Sequence, residues 1–243
     1  MELPDEVREP FVNVSFQTAA LHERWNMYRQ LYADTDGALE LMNASASAFF
    51  GNLQRLWLDY TVIEICRLTD PAETGPKTNR KQNLTLEKIT FLLREHGLDR
   101  LVPEDGLSKV DKACRPLRQH RNRWAAHLDF AENTDPNHRA LEGTARAQIE
   151  AALNAIREFL NEVHFASSGE HWAYEYGVPI GDGHDLLECL CRAEAFRELE
   201  RTNWRVRLHR RSVGDRSISE GLYPITELRC SPDGVGDEPS HDA

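Results

Sequence analysis

The chain has 243 residues and a formal net charge of −11 at pH 7, with 40% hydrophobic and 28% charged residues. This length is enough to bury a sizeable core, either in one large domain or in one domain with an appendage. No apolar run approaches the roughly 18 residues that a membrane span needs, and the acidic start of the chain lacks the apolar segment of a signal peptide. We therefore expect a soluble protein that does not act at a membrane.

The cysteines argue against a disulfide framework and against a structural zinc site. There are five of them, scattered and without a CxxC pair: Cys66, Cys114, Cys189, Cys191 and Cys230. Cys189 and Cys191 lie near His184, but residues two apart on a helix point in different directions. We expect no metal and no cofactor, and a reducing cytoplasm as the compartment.

Helical spacing of apolar residues predicts the first two helices. The first covers residues 11–33 and ends before a turn at residues 34–37. The second, roughly residues 38–68, carries two apolar stripes. One consists of Phe49, Leu53, Leu56, Tyr60 and Ile63, and the other of Phe50 and Trp57. Such a helix is expected to be central in the fold or to lie at a subunit interface.

Three further helices follow a polar loop at residues 73–79. Asn83 or Thr85 caps a short helix, which Gly97 is expected to end in a left-handed conformation. The next helix starts at about Asp105 and contains Pro116, which should kink it. A last long helix covers Arg139 to about His164.

Four or five amphipathic helices with short connections predict a mainly α fold, an antiparallel helical bundle over residues 1–166. Residues 167–230 are predicted to form a small α+β appendage, with a helix at 184–203 and a β-hairpin of residues 204–209 and 222–229. Residues 231–243 are expected to be a disordered acidic tail. Arg205, Arg207 and His209 share one face of the first strand and are a second candidate surface for an RNA backbone.

One residue of the helix that starts near Asp105 breaks its apolar seam. Apolar residues continue the seam at Val110, Cys114, Leu117, Trp124 and Leu128. The seam position between Leu117 and Trp124 holds Arg121. An arginine on a core-facing seam is costly to bury unless its guanidinium is paired or lines a polar cleft. Arg121 is therefore a candidate functional residue.

The same stretch is basic within an acidic chain. Between residues 109 and 128 the only acid is Asp111, against the six bases Lys109, Lys112, Arg115, Arg118, Arg121 and Arg123. Such a basic island can attract an anion that the rest of the surface repels. For Arg115 and Arg118, however, we expect ordinary solvated side chains.

The segment from Arg121 to His127 resembles the R-x(4 to 6)-H signature of HEPN-domain proteins, with the polar Asn122 after the arginine. The segments 56–60, 67–71 and 83–86 resemble more narrowly the abortive-infection, AbiU-like branch of that family. The similarity covers roughly residues 10–165.

This resemblance implies a metal-independent endoribonuclease that serves as a toxin or antiviral effector. It implies that His127 is the general acid or base, that Arg121 stabilises the charge on the phosphate, and that Asn122 has a supporting role. RNA is the implied substrate and a homodimer the implied state, with an antitoxin or regulatory protein as a further partner. Some HEPN toxins carry a modified tyrosine two residues after the histidine; Asp129 stands there in this chain, so that regulation is not expected.

Helical geometry alone selects a different pair. Arg121 and His127 lie roughly 120° apart around a helix and about 9 Å apart along it, whereas Arg123 and His127 are neighbours on one face. Two chains that bring these helices together would reconcile the views, because one cleft would then contain both residues from each chain.

Several alternatives stay open. Arg115 and His120 also fit the signature, but we assign His120 to a supporting or solvated position. Arg121 has the alternative of a buried ion pair with Asp59 or Glu64, and His127 that of a satisfied core histidine. The alternative function is a non-catalytic, dimeric helical module that binds RNA or a nucleotide, and a third is a purely structural dimerising bundle.

Overall fold

The helices found in the structure follow the predicted order. The computed structural model describes residues 3–122, 146–177 and 179–202. Within these ranges the helices are α1 (Asp5–Tyr32), α2 (Ala38–Thr69), α3 (Leu86–Glu95), α4 (Gly106–His120), α5 (Arg146–Ser168) and α6 (Gly183–Thr202). Two short 3-10 turns lie at Asp99–Leu101 and Tyr174–Tyr176. The predicted mainly α bundle is confirmed.

The ends of the short helix α3 show how local sequence sets these boundaries. The hydroxyl of Thr85 accepts a hydrogen bond from the backbone N–H of Lys88 at 3.3 Å, so Thr85 is the residue that caps the helix. Gly97 follows the helix with φ of +68°, a left-handed conformation that favours glycine. Both predictions for this helix are confirmed.

α2 contains an irregularity that the sequence did not indicate. Ala46 has φ −162° and ψ 70°, which are not helical angles, so the helix is interrupted there. The stripe residues after Ala46 therefore belong to the second part of α2. α4, in contrast, runs through Pro116 to His120 as one helix.

The core is formed mainly by α1, α2, α4 and α5, with Leu86, Ile89 and Leu93 of α3 packed into it, and α4 packs most extensively against α5. The bulkiest side chains that are almost fully buried include Phe11, Leu21, Met42, Ile65, Leu117, Ile149, Ile156 and Phe159. These residues come from all four helices, so each helix contributes one apolar face to a common interior.

The polar loop after α2 contains a small element that the prediction missed. Glu73–Thr74 pairs antiparallel with Lys81–Gln82 as strands β1 and β2. The side chains of Arg80 and Gln82 each donate to the Glu73 carboxylate at 2.7 Å. Two residues per strand are too few for the period-two pattern by which strands are recognised in a sequence.

The segment after α5 folds back onto the bundle. Trp172 and Asn161 exchange two hydrogen bonds of 2.8 and 3.0 Å, and the Tyr174 hydroxyl donates to Ser15 at 3.1 Å. The chain divides into two compact units at Cys191–Arg192. The domain boundary after residue 166 stays a prediction. The segment after α5 is held by hydrogen bonds to α1 and α5. Local amino-acid composition cannot indicate such contacts, because they join parts of the chain that are distant in sequence.

None of the helices in the described ranges has the length and apolar character needed to cross a membrane. The predicted β-hairpin, with Arg205, Arg207 and His209, and the acidic tail lie outside the described residues.

Candidate active site

The candidate site starts at the last turn of α4. Val110, Cys114 and Leu117 are buried, as the apolar seam predicts, and they press α4 against the core. Arg121 takes the next position after this seam, where the chain continues in a wider, π-type turn through Asn122. The packing of the seam therefore points the Arg121 side chain toward the neighbouring helices rather than into solvent.

Arg121 is held by two groups. Its Nη1 donates a short hydrogen bond to the carboxylate of Asp70, the residue that follows α2, and its Nε donates to Asn122 Oδ1 at 3.1 Å. The ion pair is partly accessible, with side-chain exposures of 22% for Arg121 and 25% for Asp70. Nη2 makes no hydrogen bond to any residue of the described ranges.

Arg121 is therefore in an ion pair, but the pair is partly exposed rather than buried, and the partner is neither Asp59 nor Glu64. Glu64 pairs with Arg67 one helical turn away, at 2.5 Å. Asp59 lies 3.4 Å from Nε2 of His120. Two consecutive residues, His120 and Arg121, thus connect the end of α4 to two different acids on or next to α2.

The expectation of solvated arginines is confirmed for one residue and wrong for the other. Arg115 is 66% exposed and pairs with Asp111 at 3.1 Å. Arg118 is only 21% exposed; it donates to Asp111 at 2.7 Å and to the backbone carbonyl of Thr69 at 3.2 Å. Its Nε lies 4.0 Å from Asp70, so Arg118 belongs to the same charged cluster as Arg121.

Two acids, Asp111 within the basic stretch and Asp70 outside it, balance part of its positive charge. Hydrogen bonds from Arg118 and Arg115 hold the pKa of Asp111 below its usual range, so Asp111 is ionised at neutral pH. Asp70 adds a second negative charge from 51 residues away in sequence. A count of charges within residues 109–128 could not include it.

The buried thiol of Cys66, beside this cluster, is inert. Burial raises the pKa of Cys66 to about 12, although the charge of Arg121 acts in the opposite direction. A protonated thiol is a poor nucleophile and a poor metal ligand. Among the described residues, no group of three or more His, Cys, Asp or Glu side chains is arranged to hold a metal ion.

A cavity of about 310 Å³ adjoins the charged cluster. Asp70, Asp111 and Arg118 line its polar side, and Leu86, Leu107 and Val110 line its apolar side. A cavity that has a polar side and an apolar side next to an arginine suits a ligand that combines a flat apolar part with a charged group.

The other predicted site residues, Arg123 and His127, lie outside the described residues, and Asp129 does as well. Among the described site residues, Arg121 contacts Asn122, whereas the His120 side chain lies against Asp59, away from Asp70. The structure adds Asp70, Asp59 and Arg118, which sequence reasoning had missed or had placed elsewhere. Asp70 stands next to Pro71 at the end of a predicted helix, which identified it as a boundary residue but gave no sign of a partner.

The model of the family described as AbiU2, a HEPN family, matches residues 5–185. No curated protein and no solved structure matches the chain. The match covers most of the chain and includes α1 to α5, the charged cluster and the signature segment from Arg121 to His127. The chain belongs to the HEPN AbiU2 family and is a HEPN-type protein related to abortive infection.

Proposed function

We propose that this protein is a metal-independent endoribonuclease of HEPN type, active in the cytoplasm as a toxin or antiviral effector. The observation that carries the proposal is the state of Arg121. Its guanidinium is oriented by Asp70 and Asn122 just after the end of α4, and 22% of its side chain is exposed. An oriented, partly accessible guanidinium is suited to bind a phosphate oxygen.

The chemistry needs one proton-transfer group beside this cation. A histidine titrates near pH 6.5, so His127 can take the proton of a ribose 2′-hydroxyl or give one to the leaving 5′-oxygen. Arg121 stabilises the negative charge that builds on the phosphate. The products carry 2′,3′-cyclic phosphate ends, because the nucleophile is the neighbouring hydroxyl.

The remaining motif residues have supporting roles in this proposal. Asn122 holds the Arg121 guanidinium through its side-chain oxygen. His120 fixes the last turn of α4 to α2 through Asp59. Arg123 adds a positive charge for the RNA backbone.

A homodimer is part of the proposal because α2 leaves an apolar surface exposed. Phe49, Leu56 and Tyr60 of the predicted stripe are 61%, 65% and 43% exposed. A stripe of large apolar side chains on one helix is typical of a protein interaction surface. A second copy of the chain on this surface would allow two signature segments to share one cleft.

The test is cleavage of RNA by the purified protein in EDTA. His127→Ala should abolish cleavage and Arg121→Ala should reduce its rate about 10² to 10³-fold. Arg115→Ala is the matched control, because Arg115 is an exposed arginine of the same helix, and it should cleave at the wild-type rate. Mass spectrometry of the products should find 2′,3′-cyclic phosphate ends.

Two outcomes would contradict the proposal. RNA bound without cleavage by wild type would favour a non-catalytic RNA-binding module. If RNA is neither bound nor cleaved, and Arg121→Ala unfolds the protein in a thermal melt, Arg121 is a structural residue. An antitoxin or regulatory protein, as the family suggests, would be sought only after cleavage is established.

The shared cleft has its own test. A mixture of Arg121→Ala and His127→Ala chains forms dimers with one intact arginine and one intact histidine. If the cleft is shared, the mixture should cleave RNA although each variant alone is almost inactive. If the mixture stays inactive although two differently tagged variants co-purify as mixed dimers, each site belongs to one chain.

A further inference from the structure

A polar cavity of about 260 Å³ lies between α1, α5 and the turn at Tyr174–Tyr176, and the proposed nuclease chemistry does not use it. Its lining follows the same spacing on both helices. The α1 side is formed by His22, Trp25, Asn26 and Arg29. The α5 side is formed by Glu150, Leu153, Asn154 and Arg157. Positions spaced by three, four and seven residues share one helix face, so two facing stripes form the walls.

Three buried polar atoms on these walls have no hydrogen-bond partner among the described residues. They are Nε2 of His22, Nε1 of Trp25 and Oε2 of Glu175. His22 is only 5% exposed and Trp25 only 2%. Buried polar groups in native proteins almost always have partners, so three on one cavity indicate a site built for a polar occupant.

The hydrogen-bonding role of each atom is fixed by its surroundings. The indole Nε1–H of Trp25 can only donate, and the carboxylate oxygen of Glu175 can only accept. Burial lowers the pKa of His22 to about 4, with a further lowering by the charge of Arg157, so the ring is neutral at pH 7. The backbone of Leu153 lies within hydrogen-bonding reach of the ring, so with Nδ1 donating to it the unpartnered Nε2 of a neutral ring can serve as an acceptor.

The acceptor of Glu175 is held in place by its neighbours. Its other carboxylate oxygen, Oε1, accepts from Arg157 Nη1 at 2.9 Å. Its backbone carbonyl accepts from the Asn26 side chain at 2.8 Å. Arg29 and Glu150 are about 40% exposed and lie on the cavity, which places its mouth at the solvent.

The three unpartnered atoms therefore offer two acceptors and one donor. Among the Watson–Crick edges of the four RNA bases, only that of guanine presents two donors, N1–H and the 2-amino group, together with one acceptor, O6. Cytosine and uracil present one donor and two acceptors, and adenine presents one of each. The cavity is smaller than the roughly 300 to 1,000 Å³ typical of drug-sized ligands, as expected for a single base.

We propose that this cavity binds a guanine base, with its two donors toward His22 and Glu175 and its O6 toward Trp25. The base is supplied either by a free guanine nucleotide or by a guanosine of a single-stranded RNA. The site is separate from the charged cluster around Arg121, and binding can be measured without RNA cleavage.

The test is calorimetric titration of the full chain with guanosine monophosphate. Inosine monophosphate is the matched control ligand, because it differs only in lacking the 2-amino donor. We expect guanosine monophosphate to bind, and inosine monophosphate to bind at least about tenfold more weakly, since a buried acceptor is then left without its partner. Adenosine and uridine monophosphates should not bind at the same concentrations.

Two variants locate the site. Glu175→Gln keeps the shape of the side chain, removes its charge and should weaken binding at least about tenfold. Glu158→Gln changes an exposed carboxylate of α5 that does not line this cavity and should bind like wild type. Trp25→Phe removes the indole N–H donor, together with part of the ring volume, and should also weaken binding. A thermal melt of each variant checks that it is folded.

Competition with RNA identifies the source of the base. A uridine oligonucleotide with a single guanosine should displace guanosine monophosphate if RNA is the ligand, and the same oligonucleotide with inosine should not. If neither displaces it, the ligand is the free nucleotide. The proposal is wrong if folded wild type binds none of these probes at millimolar concentration, because the cavity then holds water alone. It is also wrong if guanosine and inosine monophosphates bind equally, because the 2-amino group is then not recognised.

Discussion

Arg121 and Asp70 form an ion pair across 51 residues of sequence, and it joins the end of α4 to the end of α2. One partner is the arginine of the HEPN signature, and the other is the first residue after the helix that carries the exposed apolar stripe. The orientation of the signature arginine therefore depends on where α2 ends.

The first prediction concerns Asp70. Asp70→Asn keeps the size of the side chain and removes the charge that orients Arg121, so we expect RNA cleavage to fall about tenfold. RNA binding should not weaken, because a negative charge beside the phosphate is removed as well. Binding of an RNA with a 2′-deoxy cleavage site and cleavage of the natural RNA separate the two effects.

Stability provides the second readout for this substitution. The pair is partly exposed, so its loss should lower the free energy of unfolding by about 1 to 2 kcal/mol, less than for a fully buried pair. Glu104→Gln, an exposed acid before α4, is the control and should change neither quantity. Unchanged cleavage by Asp70→Asn would show that Arg121 needs no fixed orientation.

The second prediction concerns the apolar stripe of α2. Leu56→Glu places a charge on a side chain that is 65% exposed in the single chain, so the folded monomer should tolerate it. A dimer that buries Leu56 should dissociate, and light scattering should then give the monomer mass at micromolar concentration.

Phe91→Glu is the matched control for the stripe. Phe91 is an exposed apolar residue of α3, outside the stripe, and its replacement should leave the oligomeric state unchanged. A wild-type protein that is itself monomeric at micromolar concentration would overturn the dimer and weaken the shared cleft.

The third prediction concerns the close approach of α4 and α5. A Cβ atom on Gly106 would lie 2.6 Å from Pro103 Cβ and 2.9 Å from Phe159 Cδ2, and neither atom belongs to the end of a flexible side chain. Gly106→Ala should therefore destabilise the protein by about 1 to 3 kcal/mol in chemical denaturation.

Gly51→Ala is the control for that effect. Gly51 lies inside α2, and a Cβ there meets nothing within 4 Å. Alanine in a helix interior should raise stability by about 0.5 to 1 kcal/mol. If Gly106→Ala is as stable as wild type, the two helices can separate without cost at that point.

The fourth prediction concerns the pH dependence of stability. The pKa of His22 is lowered from 6.5 to about 4 by burial and by Arg157, so the folded protein keeps the ring neutral where the unfolded chain takes up a proton. The folded protein therefore has its full free energy of unfolding above about pH 6.5, and this free energy decreases as the pH falls toward 4, because only the unfolded chain then binds the proton at His22. The loss should reach roughly 3 kcal/mol, at 1.36 kcal/mol per pKa unit.

His22→Asn removes the titrating group and should flatten the dependence of the unfolding free energy between pH 6.5 and 4. His96→Asn, at an exposed position after α3, should leave the wild-type dependence intact. Denaturant unfolding at several pH values provides the comparison, and equal slopes for wild type and His22→Asn would contradict the assignment.

The helices were predictable because their signals are local. The apolar period of α4, the cap at Thr85 and the left-handed Gly97 each depend on residues within one or two turns. The candidate arginine was found for the same reason, since only Arg121 interrupts the seam. Its partner Asp70 was not found, because a contact between distant residues leaves no periodic signal in either segment.

Contacts between residues distant in sequence also explain why other residues were misjudged or missed. Arg118 was expected in solvent because its helix face is basic, but the backbone carbonyl of Thr69 and Asp70 lie against that face. His22 was not singled out, because its burial depends on α5 and on the segment after it. Only the fold places Glu175 and Trp25 on one cavity.

The hydrogen bond between Tyr174 and Ser15 also affects how the chain matures on the ribosome. It joins residues 159 positions apart, so the surface of α1 around Ser15 stays uncovered until Tyr174 has been synthesised. At about 5 to 20 residues per second this delay is roughly 8 to 30 seconds. Arg121 and His127 are therefore synthesised before Ser15 and the buried residues beside it on α1 can acquire this cover.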